Sequence, residues 1–227
     1  MHFLVGCSFT DPIWQEEIPW SVEYSKVFPS YIMAKAGMGI YGICTEAMYH
    51  LQDLDNISRV IIVLPSLWRL DIEMDQETYL TNSMLDLIHA DTQWSIVKPG
   101  VRKWIISGGL HYSKKTEQAK IFEFLYTHKG FLVIAKEHFR ALKLLINYCK
   151  YRKIDYYISA IKDPLDQLVG LDYIRPEICN LLNEVEYDKW IRFDNKFIDK
   201  FLNHDRHPTT GEHKIISNYL INICNNS

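Results

Sequence analysis

Glycine, proline and cysteine are all scarce in this chain, with 10 Gly, 8 Pro and 5 Cys among 227 residues. So few chain breakers, beside 13% aromatic residues, exclude a disordered or low-complexity polymer. The five cysteines (Cys7, Cys44, Cys149, Cys179, Cys224) are odd in number and never spaced C-x-x-C. That pattern disfavours a disulfide framework or a zinc site and fits free thiols in a reducing compartment. No run approaches the ~18 apolar residues of a membrane span. Neither sign of charge dominates: a formal net charge of −3 offers no case for nucleic acid or an anionic membrane. The opening Met1-His2-Phe3-Leu4-Val5-Gly6 has neither the basic start nor the long apolar run of a secretory signal. A cytoplasmic protein, or one released without the secretory route, is the expectation.

What is present suits one domain with a large core, since 48% of the residues are hydrophobic. Phe3 to Cys7 reads as a buried strand stopping at a turn, and Tyr31 to Ala36 as a second strand closed by Gly37-Met38-Gly39. Residues 11 to 29, rich in Trp and Pro, predict a loop with at most a short helix. Ile43 to Leu51 has helical spacing. Arg59 to Leu64 (RVIIVL) is a continuous β-branched run ended by Pro65, a strand buried on both faces. Ile121, Phe122 and Leu125 form one helical stripe, and Ala135, Phe139, Leu142, Ile146 and Cys149 a second. The basic run Lys150 to Lys153 reads as the cationic end of that second helix. Ile154 to Ile161 predicts another strand, Tyr187 to Leu202 a segment part strand and part helix, and about Glu212 to Ile223 a last helix. Strands alternating with helices predict an α/β fold, a three-layer α/β/α sandwich around a mostly parallel sheet, with a helical insertion around 70–150. In such sheets ligands bind outside the carboxyl ends of the strands, where Ser8, Gly39 and Pro65-Ser66 would gather.

Three segments carry the chemistry. Gly6-Cys7-Ser8-Phe9-Thr10 follows the first strand; Ala36-Gly37-Met38-Gly39 follows the second; Asp205-Arg206-His207-Pro208 precedes Gly211, His213 and the last helix. A serine hydroxyl becomes a nucleophile when an imidazole takes its proton, and the imidazole needs a carboxylate to hold its tautomer. Asp205 and His207 lie close enough on one loop to pair without a distant contact. These blocks resemble those of the SGNH/GDSL hydrolases, above all the "GCSFT" type of phage and bacterial members. The resemblance touches both chain ends and the first third; residues 70 to 185 carry none of it. It implies a flavodoxin-like SGNH domain over 1–227 with Ser8 as nucleophile, His207 as general base and Asp205 orienting it. Backbone N–H groups of Ser8 and Gly39 would hold the oxyanion. It further implies an esterase acting on a small-molecule or carbohydrate ester, without cofactor or metal.

The chain departs from the family pattern in three places. Cys7 stands where the family usually has Asp, and only Arg206 separates acid and base, where two residues are usual. The third block, Pro65-Ser66-Leu67-Trp68-Arg69-Leu70-Asp71, lacks the Asn that normally donates to the oxyanion. Ser66 or Arg69 is the substitute donor, since a guanidinium stabilises a developing anion well. The alternative is a catalytically inactive SGNH-fold structural or binding protein, for example a phage-particle component. A homo-oligomer or virion assembly belongs with that second class.

Plainer readings accompany each residue. Ser8 alone is a turn residue. Cys7 is a packing residue or a thiol nucleophile. His204, His207 and His213 are a metal cluster, or His213 supports the last helix. Arg69 and Asp71 form a surface ion pair, or Arg69 enters the pocket. Trp14 and Trp68 belong to the core or line a cleft.

Overall fold

Short apolar runs build two separate sheets. β1 (His2–Gly6), β2 (Ser30–Ala34), β3 (Arg59–Leu64) and β6 (Asp155–Ala160) form an all-parallel sheet in the order β2-β1-β3-β6. β4 (Asp71–Met74) and β5 (Lys103–Ile106) pair antiparallel in a small ribbon. The computed structural model describes residues 1–12, 18–74, 103–106, 124, 127–193 and 208–226.

Neighbouring side chains of a strand point to opposite faces of a sheet. Phe3 and Val5 of β1, with Val60, Ile62 and Leu64 of β3, therefore enter one core, while Leu4, Ile61 and Val63 enter another. Burial on both faces is why β3 is continuously apolar. The first core is closed by α2 (Ile40–Asp53), α3 (Phe131–Arg152) and α4 (Arg175–Glu184). Ile43, Ala47 and Leu51 of α2 point inward, as do Ala135, Phe139, Leu142, Ile146 and Cys149 of α3, and Ile178 and Leu182 of α4. On the other face lie α1 (Trp20–Ser25) and α5 (Thr210–Asn225), which contribute Trp20, Tyr24, Ile216, Leu220 and Cys224. The result is the three-layer α/β/α arrangement that the alternating pattern predicts. All five cysteines are free thiols. Among the described residues, no helix is long and apolar enough to cross a membrane.

Several details differ from the sequence reading. α2 starts at Ile40, directly after Gly39, and α4 is a helix that the pattern of residues 175–184 did not announce. The expected stripe Ile121, Phe122 and Leu125 lies outside the described residues. Within the segment expected as a helical insertion, the elements among the described residues are β4, β5 and α3, and α3 covers the central sheet. The basic run does close α3: Lys153 is its left-handed C-cap at φ 55°. Beyond β6, Ile191 forms a single parallel bridge with Ser159.

The direction of α5 is fixed by its last turn, which meets the amino ends of β1 and β3. There Tyr24 Oη donates to Cys224 Sγ at 3.2 Å and lies 2.8 Å from His2 Nδ1, and Arg59 donates to Cys224 O at 2.9 Å. Sixteen helical residues span about 24 Å, more than a five-residue strand at roughly 3.3 Å per residue. The start of α5 therefore lies at the carboxyl edge of the sheet, the edge at which β1 ends.

Candidate active site

The chain turns as soon as β1 ends, with Thr10 N and Asp11 N both donating to Cys7 O at 2.9 Å. Gly6 permits this turn, because a Cβ there would lie 2.2 Å from Thr10 Oγ1. Ser8 occupies the turn, buried at 2% exposure, with its Oγ 4.0 Å from Cys7 Sγ. Cys7 is wholly buried, which makes it a packing residue and not an accessible thiol. Two further contacts fix the loop: Ser21 Oγ donates to Thr10 O at 2.6 Å, and Asp11 Oδ2 accepts from Ala36 N at 3.0 Å. Asp11 thus ties the end of β1 to the residues after β2.

β1 has β2 on one side and β3 on the other, and the intervening helices α1 and α2 cover opposite faces. The strand order reverses at this point, and in open α/β sheets the crevice at such a reversal is where ligands bind. Ser8 follows β1 at that reversal.

Asp205 and His207 lie outside the described residues, as do His204 and Trp14. The described chain resumes at Pro208. Pro208 is buried, and Thr209 caps α5 in a reciprocal box, with Glu212 N donating to Thr209 Oγ1 and Thr209 N to Glu212 Oε2 at 2.7 Å. His213 is fully buried in the first turn, but Thr209 and Glu212 do the capping. Ile18 N donates to Thr210 Oγ1 at 3.3 Å, joining the approach to α1 to the start of α5.

The expected oxyanion donors are arranged differently from the sequence reading. Gly39 N, at the start of α2, donates to both carboxylate oxygens of Asp71 at 2.9 Å, and Gly42 N donates to Asp71 Oδ2 at 2.9 Å. Asp71 is 6% exposed, so it is a helix cap delivered from a distant strand and not half of a surface ion pair. Both glycines are needed for its approach. A Cβ on Gly39 would lie 2.7 Å from Arg69 O and 2.8 Å from Asp71 Oδ2, and one on Gly42 would lie 2.6 Å from Asp71 Oδ2. Burial pushes the Asp71 carboxyl up to about 6, against the pull of the Gly39 and Gly42 amides and the Arg69 charge. Arg69 itself is half-buried and donates to Met38 O at 3.4 Å. Ser66 Oγ donates to Gln167 Oε1 at 2.8 Å and accepts from Trp68 N at 3.2 Å. The groups expected at Gly39, Ser66 and Arg69 are thus engaged inside the protein. Compared with family models, curated proteins and solved structures, the chain matches none.

Gln167 is a further residue that the sequence did not single out. Its Oε1 also accepts from Leu67 N at 2.9 Å, and its Nε2 donates to Lys162 O at 2.9 Å. It fastens the loop after β3 to the loop after β6 at the carboxyl edge. His138 of α3 is 1% exposed, and neither ring nitrogen has a hydrogen-bond partner among the described residues. Burial lowers it to about 3, with the Lys129 charge acting in the same direction and the Arg69 backbone against it. Trp68 packs on Phe131 with ring centroids 4.2 Å apart, so it joins the loop after β3 to the first residue of α3. A cavity of about 240 Å³ along β6, lined by Tyr156, Tyr157, Ile158, Glu186, Lys189 and Trp190, is two strands away from Ser8.

Proposed function

We propose that the chain is a serine esterase of the SGNH type. Ser8 Oγ attacks an ester carbonyl while His207 takes its proton and Asp205 holds the imidazole. The alkoxide leaves with that proton, and water activated by His207 then splits the acyl-serine, regenerating Ser8 and releasing the acid. The substrate class is an O-acylated small molecule or carbohydrate. One observation carries this reading: Ser8 lies at the carboxyl end of β1, where the strand order reverses, and α5 returns the chain to the same edge. His207 is covalently two residues from Thr209, and each residue spans at most ~3.6 Å. The test is hydrolysis of p-nitrophenyl acetate together with fluorophosphonate labelling of Ser8. Both are expected in the wild type and lost in Ser8→Ala and His207→Ala. A folded wild-type chain that neither hydrolyses nor labels refutes the proposal.

A second reading is favoured by the engagement of Gly39 N with Asp71 and by the missing third-block Asn. In that reading the chain keeps the scaffold without the reaction, as a structural or binding protein of a phage particle. Absence of labelling, together with assembly into a larger particle in light scattering, supports it.

A further inference from the structure

The Asp71 carboxylate sits where an esterase of the proposed type needs an unoccupied donor. Gly39 N points both its contacts at this one side chain, and Gly42 N adds a third from the first turn of α2. A local N-cap is supplied by the residue at the helix start, whereas here the helix begins at a glycine with no side chain, and the cap comes from 32 residues away. We propose that Asp71 is a built-in stopper: its carboxylate closes the amide pair at the start of α2, and the site at the end of β1 gains its oxyanion donor only when that carboxylate withdraws. The proposal rests on the esterase reading and adds regulation of the same site.

Two features make withdrawal feasible. Asp71 is the first residue of β4, which among the described residues pairs with β5 and not with the central sheet. Its movement therefore breaks no hydrogen bond of the four-stranded core. The seated carboxylate is also ionised at neutral pH in surroundings that oppose ionisation. The groups that act on it are the Gly39 and Gly42 amides and Cys44 of α2, and Arg69 on the approach to β4. His138 of α3, which senses the backbone of Arg69, is neutral at that pH and supplies no counter-charge. A seated carboxyl that binds its proton more tightly than a solvated one is held better below about pH 6, and released more readily above it.

Two measurements test the stopper. The first is native-state hydrogen exchange of the wild type at pH 7.5. Withdrawal predicts that the Gly39 and Gly42 amides exchange at least tenfold faster than the Ile43 amide, which bonds to Gly39 O within the helix. Equal protection of all three overturns the proposal, whatever the catalytic result. The second is the rate of p-nitrophenyl acetate hydrolysis and of Ser8 labelling in Asp71→Ala and Asp71→Asn. Removing the carboxylate in Asp71→Ala is expected to raise both rates at least tenfold. The amide of Asp71→Asn keeps an acceptor in the seat without the charge and is expected to stay within about threefold of the wild type. Should Asp71→Ala fail to fold, the exchange result on the wild type decides. An active wild type whose Asp71→Ala variant is no faster overturns the stopper and leaves the esterase standing. Fast amide exchange with no labelling of Ser8 in any folded chain overturns the esterase reading, and the stopper with it.

Discussion

Asp71 and His138 are buried groups whose pH effects oppose each other, and the opposition can be measured. Burial raises the Asp71 carboxyl from its usual 3.8 to about 6. The folded chain therefore holds that proton more tightly than the unfolded chain, a contribution full below pH 3.8 and lost as pH rises through 6. Burial lowers His138 from 6.5 to about 3. Here the folded chain resists the proton, so the contribution is present above pH 6.5 and lost as pH falls toward 3. At about 1.4 kcal/mol per unit, moving from pH 7 to pH 4 gains roughly 2 kcal/mol from Asp71 and costs roughly 3 kcal/mol at His138. In the wild type the two nearly offset. Each variant unmasks the other group: relative to wild type over this interval, Asp71→Asn loses about 2 kcal/mol and His138→Leu gains about 3 kcal/mol. The assay is urea unfolding at pH 7, 6, 5 and 4, followed by tryptophan fluorescence and circular dichroism and reported as differences from wild type, so that all other titrating groups cancel. Stability curves of either variant that run parallel to the wild type, within about 0.5 kcal/mol, refute the reasoning.

Three other outcomes are expected from the packing at the carboxyl edge. Gly42→Ala forces a methyl to within 2.6 Å of Asp71 Oδ2 and 2.8 Å of Met38 Cε; denaturant unfolding should show a loss of about 1–3 kcal/mol. Gln167→Leu leaves the Leu67 amide and the Ser66 hydroxyl without their acceptor, and a loss of about 2–4 kcal/mol is expected in the same assay. Thr209→Ala removes the capping box of α5 and should cost about 1 kcal/mol, with faster exchange of the amides in its first turn.

Much of the sheet was legible because its strands are short and almost wholly apolar. RVIIVL could be read as buried on both faces, and the five inward residues of α3 recur at helical spacing. α4 was not legible because only Ile178 and Leu182 of its ten residues are buried, too few to set a period. Pro176 in its first turn was the available signal. At the site, the place of Ser8 followed from the end of β1. The role of Asp71 did not, since a cap supplied from another strand is a tertiary contact that local patterning cannot express. A hint was nevertheless present: a helix opening at Gly39 with Gly42 in its first turn and no Ser, Thr, Asp or Asn to cap it needs an acceptor from elsewhere.

The antiparallel return of α5 also bears on the order of events during synthesis. β1 is synthesised about two hundred residues before α5, yet the surface formed by Leu4, Ile61 and Val63 waits for Ile216 and Leu220. Until then that side of the nascent sheet has only α1 of its two covering helices, a state that invites chaperone binding or aggregation. Arrival of α5 is thus the step that closes this face of the sheet.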